Sequence, residues 1–439
     1  MSPSRMENEP YAGESLRTIE ARRRAPTILI SLALMNLVAY AMRNELFAVY
    51  PELRARFGLH DAKLGLLTTI FLVPHAVATL PFGWAGDRFD RRRVIATGML
   101  LASVASALGG VASSVVTFSI SRAFVGLGTA AIVPVANSIL GQLYEGPAKA
   151  SRMAIFNLGL LFGGAAGFLA GGWLGFPGVV YALAIPGALL ALVILALPAP
   201  RHPGQLPGSR HSSNSGYFSA LARGFYGDAK ILLGIRTLRW LMVSTTAMAF
   251  AAGGYNAWLV DFLERDKGMT QKSATNLLVT TMFGAVAGIL VGGRLADRLR
   301  RQRPNGRLLV IVAGMTLTIP AAITAIEAPV GVGLTAAGIA TMFFISWYHA
   351  PMAVSVDDLA PPERVVAAQG LVIFTMHLLG TAPSSWVVGL VSEKTSLYTA
   401  MWVPTGALVI AALAMLVAIP TFAGDHARAR SGTSRAGRL

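Results

Sequence analysis

The sequence lacks cysteine entirely and has few charged residues. Only 13% of its 439 residues are Asp, Glu, Lys or Arg, against about 25% in a typical soluble domain. The absence of cysteine excludes disulfides, thiolate metal sites and cysteine nucleophiles. The scarcity of charge, together with 54% apolar residues, excludes a disordered chain and is typical of a membrane protein.

Motifs for nucleotide hydrolysis and metal catalysis are also missing. The sequence contains no G-x-x-x-x-G-K-[ST] and no H-E-x-x-H, and its seven histidines form no cluster. We therefore predict no cofactor, no metal and no enzymatic activity. Lys and Arg outnumber Asp and Glu by 37 to 21, but a nucleic-acid-binding protein would not carry such long apolar runs.

Windows of about 20 apolar residues predict transmembrane helices. Twelve such windows fall into two groups of six, so the predicted fold class is an all-α membrane protein made of two six-helix repeats. Spans 1 to 6 are predicted at 27–50, 62–86, 92–113, 115–143, 150–175 and 177–198, and spans 7 to 12 at 236–263, 272–297, 306–326, 330–356, 365–391 and 395–420.

The polar segments between these windows define the predicted domains. Residues 217–235 of the linker alternate apolar and charged positions, as in an amphipathic helix that lies on the membrane or docks on the protein itself. The predicted organisation is an N-terminal tail (1–26), a first bundle (27–198), a linker (199–235), a second bundle (236–420) and a basic tail (421–439).

The distribution of cations predicts the orientation of the chain. Arginines crowd loops 2–3 and 8–9, the linker and the C-terminal tail, whereas loops 3–4 and 5–6 have no Lys or Arg. The positive-inside rule then places both termini in the cytoplasm of a multi-pass cell-membrane protein. We call the opposite end of the helices the outer end. There, in loops 1–2 and 7–8, acids balance the cations: Glu52, Asp61, Glu264 and Asp266.

Two copies of one motif relate the halves of the chain. The pattern G-x-x-x-D-R occupies Gly83–Arg88 in loop 2–3 and Gly293–Arg298 in loop 8–9, 210 residues later. Repeated halves of this kind are typical of secondary transporters that work by alternating access.

The loop 2–3 motif resembles the signature loop of the major facilitator superfamily. Gly83, Asp87, Arg88 and Arg92 occupy its fixed positions, and the resemblance implies that they form a latch between the two halves. Asp297 and Arg298 would be the weaker copy of that latch in the second half. The alternative interpretation is that these charges only anchor the topology.

Further segments resemble the spinster family of lipid transporters. These segments are Met42-Arg43, Phe57-Gly-Leu, Pro81–Arg88 and Arg122–Gly128. The resemblance implies transport of lysophospholipids or sphingosine phosphates, in some members coupled to protons. Met42 stands where the family has Asp and Thr129 where it has Glu, so both departures remove a titratable group and leave proton coupling open.

Two arginines at membrane depth are the main candidates for substrate binding. Arg43 lies in the outer third of span 1 and Arg122 about two turns into span 4, so we expect both at a similar depth. Arginine binds phosphate and carboxylate groups bidentately. Glu45 is close enough in sequence to pair with one of them, which is the structural alternative, and Thr129 shares the helical face of Arg122.

The second half offers aromatic and neutral polar side chains at the corresponding places. A cavity that is charged on one side and aromatic on the other fits an amphipathic anion, although Trp347 and Tyr348 could equally serve helix packing. The candidate residues there are Tyr255, Asn256, Trp347, Tyr348 and His349.

The sequence therefore predicts a monomeric secondary transporter of an amphipathic anionic lipid. Its further partners would be membrane lipids and, where transport is coupled, protons. A carrier of small organic anions or drugs is the nearest alternative, and a membrane receptor without transport is the alternative from another class.

Overall fold

A computed structural model describes residues 16–144, 147–198, 227–361 and 364–430. These residues form helices joined by short turns, and the described part of the chain contains no strand. The predicted all-α membrane fold is confirmed.

The first half consists of helices that match spans 1 to 6. A short helix, Leu16–Arg23, precedes span 1. The helices of this half are Ala25–Asn44, Tyr50–Phe57, Asp61–Arg88, Arg91–Gly110, Val115–Thr129, Ile132–Leu143, Pro147–Leu174 and Gly178–Ala196.

The second half follows the same order with three interruptions, one of them at Met401 near the start of span 12. Span 10 breaks at a 3₁₀ turn, Ser346–Tyr348, and span 11 contains a π-helical turn, Met376–Thr381. The helices are Arg236–Arg265, Gln271–Gln302, Gly306–Glu327, Val332–Ile345, His349–Leu359, Val365–Thr375, Ala382–Lys394, Leu397–Ala400 and Trp402–Arg430.

Eleven helical stretches of the described chain are long and apolar enough to cross a membrane. Span 7 is not among them, although its helix, Arg236–Arg265, has 30 residues. Its polar residues lower the hydropathy, and several of them are buried: Thr237, Ser244, Thr245 and Asp261. These buried polar side chains explain why the hydropathy of the span 7 helix is low although the helix has the length of a membrane span.

The chain forms two compact units whose limits differ from those of the two sequence halves. Unit 1 comprises residues 1–44, 77–167 and 177–211, and unit 2 comprises residues 45–76, 168–176 and 212–439. Unit 2 thus contains the outer ends of spans 1, 2 and 5 as well as spans 7 to 12. The domain boundaries drawn from the sequence remain a prediction.

Within unit 1, span 5 packs closely on the backbone of span 1. A Cβ on Gly159 would lie 2.8 Å from the Ala33 carbonyl oxygen, and one on Gly163 would overlap the Leu37 carbonyl oxygen. Gly167 meets Ala41 in the same way. Glycines spaced by four residues allow this approach between membrane helices, so Gly163 and Gly167 serve helix packing.

The chain turns sharply after span 1. The helix ends at Asn44, and a 3₁₀ turn, Glu45–Ala48, leads into the helix Tyr50–Phe57. Gly58 closes that helix in the left-handed conformation, with φ 61° and its N–H donating to the Arg54 carbonyl. Glycine adopts this conformation without strain, and the turn leads the chain directly into span 2.

The end of span 12 differs from the prediction, and the predicted amphipathic segment is described only in part. The helix Trp402–Arg430 continues ten residues past residue 420, because Phe422, Asp425 and His426 are buried against the rest of unit 2. Of the predicted amphipathic segment, residues 217–226 lie outside the described residues. Leu232 near its end is completely buried, as expected of docking on the protein.

Candidate functional site

Arg122 is buried in unit 1 and contacts the backbone of span 1. Its side chain is 1% exposed, and its Nη2 donates a hydrogen bond of 2.8 Å to the Met42 carbonyl oxygen. Arg43 is the next residue along span 1, and its guanidinium lies 5.9 Å from the centre of the Tyr40 ring. The structure therefore brings the two arginine-bearing helix segments together.

Met42 fills an apolar site next to this contact. The residue is completely buried, and its Cε lies 3.3 Å from where a Cβ on Gly187 of span 6 would be. An ionised group there would lack water. Met42 therefore contributes apolar packing at this position.

Thr129 uses its hydroxyl within its own helix. It is the last residue of the helix Val115–Thr129, and its Oγ1 donates to the carbonyl oxygens of Val125 and Gly126, both at 3.0 Å. Span 4 resumes at Ile132 after a two-residue break. The side chain is 2% exposed, and such bonding to the preceding turn is typical of a place where a helix bends or breaks.

The other predicted site residues belong to unit 2, where they divide into polar and packing roles. Glu45 is buried in the turn after span 1. The Tyr255 hydroxyl is 2.6 Å from the Thr405 Oγ1, and Asn256 is partly exposed. The ring centres of Tyr348 and His349 are 4.2 Å apart, with the ring planes tilted by 33°.

Trp347 packs in an apolar cluster. Its ring lies 5.7 Å from that of Phe343 and 5.4 Å from that of Phe344. Its backbone and side chain also face Gly292 and Gly314 so closely that a Cβ on either glycine would lie 2.7 Å away. These contacts are those of a packing aromatic, the alternative open from the sequence.

In loop 2–3, two adjacent arginines have different contacts. Arg92 binds Asp90 at 2.7 Å and the Leu197 carbonyl at 3.1 Å, whereas the buried Arg91 donates to Gln142 at 2.7 Å. Burial alone would raise the pKa of Asp90, but the hydrogen bonds and charge of Arg92 hold it below its usual value.

The remaining residues of the loop 2–3 motif have fewer described contacts. The side chains of Asp87 and Arg88 lie outside the described residues. Gly83 faces span 4, where a Cβ on this glycine would lie 3.9 Å from the Pro134 side chain. That distance is ordinary van der Waals contact, so the packing at Gly83 has room for a methyl group.

The second copy of the motif pairs with a different arginine. Asp297 and Arg298 are exposed, and an Asp297 oxygen lies 3.9 Å from Arg307. Arg307 binds Asp358 at 2.5 Å. The partner of Asp297 within unit 2 is therefore Arg307 from the start of span 9.

Four charged side chains form a further cluster at the outer end of unit 2. The Arg54 Nη2 lies 2.8 Å from a carboxylate oxygen of Asp61 and 2.8 Å from one of Asp261. Arg265 lies 2.9 Å from Asp61 and 3.3 Å from Asp261. We call these four residues the outer charge cluster.

The outer charge cluster joins segments far apart in the sequence. Arg54 and Asp61 come from the first half, and Asp261 and Arg265 end the span 7 helix. The Asp61 carboxylate also accepts a hydrogen bond of 2.6 Å from Ser392 of span 11. The Asp261 side chain is completely buried, and two positive charges balance two negative charges, which makes burial of the carboxylates tolerable.

Next to the cluster, span 2 packs tightly on span 11. The Thr69 hydroxyl donates to the Ala382 carbonyl at 2.5 Å. A Cβ on Gly65 would overlap the Ser385 carbonyl oxygen, which also accepts a hydrogen bond of 2.9 Å from the Trp258 indole. The two helices are in backbone contact at this point, which only glycine allows.

We expect Gly65→Ala to separate span 2 from span 11 at the outer end. The added methyl group would overlap backbone atoms that cannot rotate away, and overpacking of this kind costs about 1–3 kcal/mol. Thermal unfolding in detergent measures the loss. Gly370→Ala is the matched control, because a Cβ there meets nothing within 4 Å; equal unfolding temperatures for the two variants would contradict the prediction.

Sequence reasoning missed the outer charge cluster. In the sequence, the charges of loops 1–2 and 7–8 indicate only a balance of signs in the topology. One signal was available: loops 1–2 and 7–8 each carry both Asp and Arg, whereas loops 3–4 and 5–6 carry no Lys or Arg. Pairing across 207 residues, as between Arg54 and Asp261, has no local pattern.

Comparison with known proteins gives the family. The sequence model of the Major Facilitator Superfamily matches residues 32–382, and a second match covers residues 241–436. The chain belongs to the major facilitator superfamily. It is a membrane transporter by that membership, and together the two matches span residues 32–436.

Within the superfamily, the chain is similar to spinster proteins. It is 28% identical over 430 residues to Protein spinster homolog 3 of Danio rerio, with 91% of this chain and 82% of that protein covered. It is 26% identical to the Sphingosine-1-phosphate transporter SPNS2 of the same organism, with 87% of this chain and 79% of that protein covered.

Solved structures of the superfamily share the fold. A bacterial homologue of the human lysosomal transporter spinster, described as inward-facing and unoccupied, aligns with a TM-score of 0.78 at 20% identity, covering 91% of this chain and 98% of that one. The inward-facing and occupied form aligns with a TM-score of 0.77 at 19% identity, with the same coverage.

Proposed function

We propose that this transporter moves an amphipathic lipid with an anionic headgroup, such as a lysophospholipid or a sphingosine phosphate. The observation that carries the proposal is the buried Arg122 guanidinium bound to the Met42 carbonyl beside Arg43. The proposed setting is the cell membrane, with both termini in the cytoplasm.

The chemistry of the arginine pair favours an anionic group. Arginine stays charged in proteins and forms bidentate hydrogen bonds to phosphate and carboxylate groups. A guanidinium inside the membrane is costly, and an arriving anion offsets that cost. Arg43 and Arg122 would therefore hold the headgroup, with Glu45 two residues along the chain from Arg43 and Thr129 two turns along span 4 from Arg122.

The candidate side chains of the second half would suit a lipid tail. The neutral polar and aromatic residues Tyr255, Asn256, Tyr348 and His349 carry no fixed charge that opposes an alkyl chain, and Trp347 would support them through packing. A relative that aligns over most of the chain is named a sphingosine-1-phosphate transporter, which supports a lipid over a small organic anion.

Alternating access would use a latch at each end. We infer that the outer charge cluster holds the outer end closed when the substrate path is open to the cytoplasm. At the opposite end Gly83, Asp87, Arg88 and Arg92 would act as the second latch, with Asp297 and Arg298 as its weaker copy. Similarity to solved structures described as inward-facing supports this assignment.

Uptake of a labelled lysophospholipid into proteoliposomes tests the function. We expect uptake to rise with the length of the acyl chain from 8 to about 16 carbons, because each buried methylene contributes about 0.8 kcal/mol. Liposomes without protein and glycerol phosphate, which has the headgroup without the tail, are the controls.

Two outcomes would contradict the lipid assignment. Uptake that does not depend on chain length, with glycerol phosphate carried equally well, would indicate a carrier of small organic anions. Saturable binding without any flux would indicate a receptor.

A further inference from the structure

Two glutamates lie beside the outer charge cluster. Glu52 belongs to the helix Tyr50–Phe57, and Glu264 lies in the last turn of the span 7 helix, beyond the predicted membrane segment 236–263. Both side chains are partly buried and both belong to unit 2. The structure thus places two additional carboxyls next to a cluster whose charges already balance.

One oxygen of each glutamate is shielded from solvent. Among the described residues, no group forms a hydrogen bond with the Glu52 Oε2 or the Glu264 Oε1. The rest of the Glu52 carboxyl is held by Gln271 and by the backbone of Phe176. A buried carboxylate oxygen without a donor is costly, and protonation of the carboxyl removes that cost.

The charges around Glu264 also favour the protonated form. Asp261 lies one turn earlier on the same helix, and Glu52 faces it from the helix after span 1; both are negative. Arg54 provides the opposing positive charge, but it already binds Asp61 and Asp261. Beyond the helix end, Asp266 and Lys267 follow in sequence with opposite charges.

These effects set the ionisation of the two glutamates. Burial first, and then the negative charges of Asp261 and Glu52, raise the pKa of Glu264 to about 7, although Arg54 opposes the shift. Burial also raises the pKa of Glu52, against the effect of its hydrogen bonds.

We propose that Glu264, together with Glu52, binds a proton and that this proton stabilises the closed outer charge cluster. The proposal deepens the function given above, since it assigns a proton-dependent step to the latch at the outer end. Ionised Glu264 would repel Asp261 and compete with it for Arg54. Protonated Glu264 leaves both arginines to the two aspartates of the cluster.

The direction of the pH effect follows from the raised pKa. A separated cluster exposes Glu264 to water, where its pKa returns to about 4.5. Closing the cluster then takes up a proton, so the closed form is favoured fully below pH 4.5 and loses this advantage as the pH rises through about 7. If opening removed the whole pKa shift of Glu264, the ratio of closed to open forms would change roughly 300-fold. Because Glu264 is only partly buried, we expect about tenfold.

The absence of cysteine makes the test direct. Cysteines introduced at the exposed positions Ala55 and Thr395 carry spin labels on the two sides of the cluster. Electron paramagnetic resonance measures their distance in lipid nanodiscs without substrate, from about pH 4.5 to 8.5. We expect the share of short distances to rise as the pH falls, with its midpoint between 4.5 and about 7.

Three substitutions identify the group that titrates. Glu264→Gln should keep the short distance at every pH. Glu52→Gln removes a negative charge and should move the midpoint to lower pH. Glu327→Gln is the matched control, because this exposed carboxyl at the outer end binds Tyr398 outside the cluster and should leave the midpoint unchanged.

An unchanged midpoint in Glu264→Gln, or no pH dependence in the unsubstituted chain, would overturn the proposal. Where Glu264→Gln does not fold, the midpoint of Glu52→Gln decides. The lipid assignment is tested separately by uptake: distances that titrate without any lipid uptake leave the proton site intact and refute the substrate. Lipid uptake with distances that do not titrate refutes the proton site alone.

Discussion

An Arg122→Ala variant is expected to transport lysophospholipid at least about 100-fold more slowly than the unsubstituted chain. Hydrogen bonds to a charged group contribute about 1.5–3 kcal/mol each, and a bidentate contact to a headgroup loses two of them. Arg122 is almost completely buried, so water would not replace the missing contact. Initial uptake rates in proteoliposomes, normalised to the amount of folded protein, measure the effect.

Two further variants make the result specific. Arg122→Lys keeps the charge but not the planar pair of donors, so we expect an intermediate loss. Arg93→Ala removes an exposed loop arginine and should leave uptake within about twofold of the unsubstituted rate, as surface substitutions usually do. If Arg122→Ala transported as fast as Arg93→Ala, Arg122 would have no part in substrate binding.

The second large effect is expected for Asp261→Ala at the outer end. This change removes the completely buried carboxylate that binds both Arg54 and Arg265. Breaking a buried ion pair from one side costs about 3–5 kcal/mol, and partial exposure of the two arginines reduces this to about 2–4 kcal/mol. The closed form should therefore become about 30- to 1000-fold less favoured.

The spin-label distance between positions 55 and 395 measures this loss of the closed form. We expect a population of long distances at every pH. Arg265→Ala should have a smaller effect, because Arg265 is 40% exposed and water can partly replace it. Asp266→Asn is the control, since this carboxyl is exposed just beyond the helix end. A short distance retained in Asp261→Ala would show that the cluster does not hold the outer end closed.

The fold could be predicted from the sequence because its determinants are local or repeated. Apolar windows mark the spans, and G-x-x-x-D-R at Gly83 and Gly293 relates the two halves. Span 7 shows the limit of hydropathy alone. Its window was long enough to predict a span, but its helix carries Ser244, Thr245 and Asp261, which are buried in unit 2 and lower its hydropathy.

The site was predictable only in part, because side-chain roles depend on contacts between distant segments. The sequence placed Arg43 and Arg122 at one depth, and the structure shows Arg122 on the backbone next to Arg43. It could not show that the Thr129 hydroxyl binds within its own helix or that Trp347 packs on two glycines. Arg54 looked like an ordinary loop cation, because its partner Asp261 lies 207 residues away.

The contact between spans 2 and 11 has a consequence for synthesis of the chain. Thr69 binds the carbonyl of Ala382, 313 residues later, and Asp61 binds Ser392. At about 5–20 residues per second, a ribosome needs roughly 15–60 s to add the intervening residues. During that time the outer end of span 2, including Asp61, has not yet met its final partners. Membrane insertion of the first helices is therefore complete well before their native packing can be.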